Sequence, residues 1–150
     1  METVRGDYTL SCAAADQQPE RIHAFLTCCY WAEGIPLERV RRSIEGSLCF
    51  GVFHRGLQVG LARVVTDRAT FAYLCDVYVL EEHRGQGLGE WLVESVLAHP
   101  ELQGLRRIML ATRDAHGLYA KLGFKPLGRP AAFMEVSRHG LYGRGPGLVP

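Results

Sequence analysis

The strand-like run Thr70–Leu80 gives way to Glu81-Glu82-His83-Arg84-Gly85-Gln86-Gly87-Leu88-Gly89, and then to apolar residues at helical spacing. A strand that enters a glycine-rich turn and leaves it as a helix is suited to holding an anion. Glycines let consecutive backbone N–H groups converge on one concavity, and the helix start adds the positive end of its dipole. A pyrophosphate fits such a cradle. The P-loop pattern G-x-x-x-x-G-K-[ST] has no match in the chain, and G-x-G-x-x-G fails because Glu90 stands where its third glycine belongs. The pattern R-x-x-G-x-G is met by Arg84, Gly87 and Gly89.

This loop resembles the coenzyme A loop of the GNAT superfamily of N-acetyltransferases. A second stretch, Asp114-Ala115-His116-Gly117-Leu118-Tyr119-Ala120-Lys121-Leu122-Gly123-Phe124, is similar to that family's helix A-x-x-L-Y-x-K-x-G-F, and it lies at the family's distance downstream. The resemblance spans roughly residues 8–137. It implies acetyl-CoA as cosubstrate and transfer of its acetyl group to an amine by direct attack in a ternary complex. The backbone of Arg84, Gly85, Gln86, Gly87, Leu88 and Gly89 would take the pyrophosphate. The third strand, through Val77, Tyr78 and Val79, would hold the acetyl oxygen and the pantetheine arm. Asp114, where the family often has Asn, and Lys121 would complete the coenzyme contacts, and Tyr119 would reach the thioester sulfur.

Chemistry sets the remaining requirements. An amine attacks a thioester only when neutral, yet an alkylamine titrates near a pKa of about 10.4. A base, an oxyanion donor and an acid for the leaving thiolate are therefore needed. The resemblance implies backbone amides near Val77 as the donor, a job that suits groups already fixed. Tyr119 is the expected acid. Asp76 is the leading base: it sits in an otherwise apolar and aromatic strand, on the face of Leu74 and Tyr78, where an acid calls for a reason. It is either that base or a structural carboxylate bonded to backbone or arginine. His54, His83 and His116 rank below it, and Glu81 and Glu82 sit at the strand exit. Tyr30, Trp31 and Glu33 stand at the end of the first helix. They form either an acceptor wall suited to a cationic or aromatic amine, or a helix end packed on the core.

Three activities fit these residues: an acetyltransferase acting on a small primary amine, one acting on a protein amine, and a non-catalytic module that senses acyl-CoA. An intact Tyr119 favours catalysis.

The elements that must position these groups follow from periodicity. Tyr8–Ala13 reads as a strand. Pro19 opens a helix with Ile22, Phe25, Leu26 and Cys29 on one stripe, ended by Gly34, and Pro36 opens a second with Leu37, Val40 and Ile44 inward. Leu48–His54 and Leu57–Thr66 form a hairpin through Arg55-Gly56, followed by Thr70–Leu80. A helix from about Leu88 stops before Pro100. Ile108–Ala111 is a short strand, Asp114–Leu122 a helix closed by Gly123, and Ala132–Ser137 a last strand. The result is a mixed α/β (α+β) sheet, mostly antiparallel, with helices on both faces. It forms one domain, 1–139, with a Gly/Pro-rich flexible tail at 140–150.

Bulk properties are consistent with an enzyme of this size. The chain has 150 residues, 47% hydrophobic and 22% charged, with a formal charge of +1. Its basic residues are nearly all arginine, spread along the chain, with Lys121 and Lys125 the only lysines. No strong field attracts nucleic acid or an anionic membrane. No stretch nears the ~20 apolar residues of a membrane span, and no signal peptide is evident. The five cysteines form no C-x-x-C pair. Free thiols in a cytoplasmic protein, with no metal, are expected. A homodimer is compatible with everything above.

Overall fold

The computed structural model describes residues 1–143. Six strands form one sheet in chain order: β1 (Glu2–Arg5), β2 (Tyr8–Ser11), β3 (Leu48–His54), β4 (Leu57–Thr66), β5 (Phe71–Val79) and β6 (Arg107–Leu110). Neighbours are antiparallel from β1 to β5, and β6 runs parallel to β5. Helices α1 (Pro19–Leu26) and α2 (Leu37–Glu45) separate β2 from β3, α3 (Leu88–Ala98) connects β5 to β6, and α4 (His116–Lys121) follows β6. A parallel neighbour cannot be reached by a hairpin, so α3 has to cross over the sheet. The β3–β4 turn is a true hairpin: Arg55 and Gly56 have φ of 51° and 78°, the left-handed pair that matches strand twist.

Alternation along the strands supplies two faces and both are covered. On one, Leu10, Phe50, Val64 and Leu74 pack with Leu92 and Val96 of α3. On the other, Cys49, Leu61 and Tyr78 pack with Ile22 and Leu26 of α1 and Val40 of α2. The site residues of β5 are thus held between two cores.

Several boundaries differ from expectation. The strand Glu2–Arg5 was not legible, because its four residues are all exposed and carry no apolar alternation. The strand read as Tyr8–Ala13 stops at Ser11. Helix α1 ends at Leu26 rather than reaching Cys29, since the chain then turns and Gly34 N–H bonds to the Thr27 carbonyl at 2.9 Å. The helix read from Asp114 starts at His116, although Gly123 is the left-handed cap expected, with φ 96°.

The last expected strand, Ala132–Ser137, is absent. Pro130–Ala132 is a 3-10 turn, and Met134 and Val136 are 98% and 82% exposed. Alternation there marks two faces, but neither meets a sheet. Of the expected tail, Tyr142 packs against the α1–α2 core, and its carbonyl oxygen would lie 2.6 Å from a Cβ on Gly34. The rest of that tail, residues 144–150, lies outside the described residues. No helix among the described residues is long and apolar enough to cross a membrane.

Candidate active site

The parallel pair β5–β6 holds only from Phe71↔Arg107 to Leu74↔Leu110. Beyond that point the strands part, and a cleft of 970 Å³ opens between them. That is at the upper end of the roughly 300–1,000 Å³ typical of ligand clefts. Its walls are the unpaired β5 edge from Cys75 to Val79, the loop ahead of α3, and the segment Ala111–Tyr119.

A β-bulge shapes the β5 edge. Leu61 pairs with Tyr78 and Arg63 with Cys75, so Asp76 and Val77 together oppose Ala62. Asp76 takes φ 51°, a left-handed conformation tolerated by Asp and Asn but uncommon for other non-glycine residues. Bulges of this kind re-aim backbone groups beside sites. Here the side chain of Asp76 pins the bulge. Arg63 Nε donates to Oδ2 at 2.8 Å, Trp31 Nε1 donates to Oδ1 at 2.8 Å, and an Arg63 terminal nitrogen donates to Ser47 Oγ at 2.9 Å. The Arg63 and Asp76 side chains are only 18% and 10% exposed.

Of the two sequence readings of Asp76, this geometry favours the structural carboxylate, with Arg63 as its arginine. Asp76→Asn keeps the shape and the left-handed preference but leaves Arg63 buried without its counter-charge. Breaking such a pair costs about 3 kcal/mol or more, which for a domain of this size is roughly 10 °C of melting temperature. The expected result is that loss, with a pH–rate profile parallel to wild type. Turnover lost selectively at lower pH, with the melting temperature unchanged, would return Asp76 to the role of base.

The glycine loop is open on the cleft side. Gly85 and Gly87 have φ of 78° and 77°, and Gly87 caps α3 without a side chain. A Cβ added at Gly85, Gly87 or Gly89 would meet no atom within 4 Å. The protein therefore does not itself need glycine there for space; a ligand lying against the backbone would. The first N–H groups of α3 have no partner within the helix and are left for such a ligand. Arg84 braces the strand exit, its Nε donating to the Val79 carbonyl at 2.8 Å.

Behind the loop, His83 Nδ1 and the Tyr8 hydroxyl share a hydrogen bond of 2.8 Å, and Gln86 Nε2 donates to the same hydroxyl at 3.1 Å. Gln86 thus faces Tyr8 rather than lining the cleft. Tyr8 and His83 as loop supports were not foreseen, because Tyr8 lies 75 positions from His83 in the chain.

Tyr119 of α4 reaches the cleft, 8% exposed, with its ring edge-on to Phe124 at 5.7 Å. Burial raises its phenol pKa above the ordinary value. Leu88, Val77 and Val79 also line the cleft. Tyr78 lines it too, but is mostly core: its ring stacks on Phe25 at 3.9 Å, and burial raises its pKa as well.

Asp114 is at the rim, 74% exposed. Lys121 is outside the cleft lining, and its ammonium lies 3.8 Å from Glu90 of α3. Tyr30 and Trp31 form the far wall, whereas Glu33 is exposed and not part of it. Sequence reasoning missed Arg113, whose guanidinium lies 3.8 Å over the Tyr30 ring. Among the described residues, no three His, Cys, Asp or Glu side chains gather as a metal site would require.

Known proteins share this fold. Residues 14–124 match the model of the family described as the acetyltransferase (GNAT) family. A protein of Gibberella zeae assigned as an acetyltransferase is 37% identical over 145 residues, covering 81% of each chain. A crystal structure from Xanthomonas campestris pv. campestris, of a protein assigned to the GNAT family, is 50% identical with a TM-score of 0.89. It covers 92% of this chain and 98% of that one. Glucosamine-6-phosphate N-acetyltransferase from Arabidopsis thaliana shares the fold at 16% identity and a TM-score of 0.65, over 89% of this chain and 99% of its own.

Proposed function

This chain belongs to the acetyltransferase (GNAT) family of acyltransferase enzymes, and from that premise we propose that it moves an acetyl group from acetyl-CoA to the primary amine of a small molecule, by direct attack in a ternary complex. The observation that carries the reading is the convergence, on one cleft, of the open glycine loop at the start of α3, the bulged and unpaired β5 edge, and Tyr119.

Each group has a task its position permits. The amides of Arg84–Gly89 hold the pyrophosphate, and Gly85 and Gly87 leave the backbone bare for its approach. The β5 edge at Val77 donates to the acetyl oxygen as negative charge develops on it, and Val79 aligns the pantetheine arm. As the N–C bond forms, the C–S bond breaks. The amine gives up a proton to water leading out of the cleft, Tyr119 gives one to the departing thiolate, and the tyrosinate takes a proton back from water. Asp76 acts through the bulge, by holding Val77 where its amide is useful.

A covalent acyl-cysteine route is disfavoured. Cys75 lines the cleft, but burial pushes its thiol up to about 11, so at neutral pH it is a thiol and a poor nucleophile. The experiment is thiol release from acetyl-CoA with and without a panel of small amines. Amine-dependent release supports the proposal. Tight coenzyme binding with no turnover on any amine would leave a sensor, and activity confined to protein amines would change the acceptor.

A further inference from the structure

The far wall of the cleft already carries a positive charge of the protein's own. The Tyr30 ring already carries a cation, the Arg113 guanidinium at 3.8 Å from its centroid. Tyr30 stands edge-on to Trp31 at 5.1 Å, and Trp31 is fixed by its hydrogen bond to Asp76. The positive group is thus held in place by a chain of contacts that starts at the bulge where the acetyl group is proposed to sit.

A guanidinium whose carbon lies over an aromatic ring has N–H groups left to fork a carboxylate. Among the described residues Arg113 has one acidic partner, Asp114 at 3.8 Å, which is beyond hydrogen-bond reach. The arginines beside the bulge and the glycine loop are committed. Arg63 is bound by Asp76 and Ser47, and Arg84 braces Val79 beside the proposed pyrophosphate loop.

From this we infer that the acceptor is an amine that also bears a carboxylate, which Arg113 binds against Tyr30 while the amine reaches the bulge. The inference rests on the acetyltransferase reading of the same cleft. A monoanion fits better than a phosphate dianion, because Asp114 already offsets part of the charge at Arg113.

The test uses matched acceptors: short ω-amino acids, their carboxamides, and the corresponding aminophosphonates, with rates compared per free-base amine. Wild type should prefer carboxylate to carboxamide by at least about 10-fold in kcat/KM, as expected for a charge-assisted hydrogen bond. Arg113→Gln should cut that ratio at least threefold and Arg113→Lys should keep an intermediate one, while calorimetry shows the wild-type affinity for acetyl-CoA in both. A smaller preference in wild type, an unchanged ratio in Arg113→Gln, or a preference for the phosphonate overturns the inference and leaves the acetyltransferase standing. Absence of turnover on every amine sinks the acetyltransferase reading first, and this inference with it.

Discussion

Tyr119→Phe is expected to lower turnover on the order of 10²-fold, with little change in acetyl-CoA affinity. The substitution removes one oxygen from a ring that stays packed against Phe124, so the fold should hold. Burial raises the pKa of this phenol above its ordinary value of about 10, which keeps it protonated through the neutral and mildly alkaline range. It is therefore always loaded as an acid over the range in which the amine becomes neutral. The sign of the pH dependence follows. Turnover should rise with pH as the acceptor deprotonates, with no Tyr119-linked fall below about pH 10. The Phe variant should run parallel to wild type and lower. Steady-state rates across pH, with calorimetric coenzyme affinities, check both parts, and an unchanged turnover number would remove Tyr119 from the mechanism.

Gly87→Val is expected to weaken acetyl-CoA binding on the order of 10²-fold, because a side chain would occupy the space and disturb the amides assigned to the pyrophosphate. Its cost to the fold is separable. Gly87 has φ 77°, and a left-handed conformation costs an L-residue about 1–2 kcal/mol, more when β-branched. Gly104 provides the control. Its φ is 75°, a Cβ there also meets nothing within 4 Å, and it does not line the cleft. Gly104→Val should lose a similar few degrees of melting temperature and bind acetyl-CoA normally. Equal binding by the two variants would detach the glycine loop from the coenzyme.

What the sequence disclosed and what it concealed divide along one physical line. The glycine loop and the Tyr119 helix are short-range patterns, set by backbone conformation over a few residues, and both lie on the cleft. The partners of Asp76 are not short-range: Arg63 and Trp31 lie 13 and 45 positions away. An acid in an apolar strand announces that it needs an explanation, but only the tertiary fold supplies the arginine. The bulge is hidden for the same reason, since an extra residue in β5 is defined against the register of β4.

Ala132–Ser137 fails in the opposite sense. Its alternation is real, but a strand also needs a neighbour, and Met134 and Val136 find none. Lys121 matches its motif position, yet its ammonium lies against Glu90. Tyr30 and Trp31 were read as either an acceptor wall or a helix end packed on the core; they line the cleft, and the charge beside them comes from Arg113, which no local pattern ties to them.

Acetyl transfer to an amine within this cleft yields one free thiol for each acetylated amine. It is tested most directly by counting free thiol and acetylated amine in the same samples, by thiol titration and mass spectrometry, as wild-type protein acts on acetyl-CoA and an amine. Equal amounts of both products are expected at every time, with no thiol above background when amine is left out. Thiol release that ignores the amine, or coenzyme bound with no acetylated product from any acceptor, would contradict it.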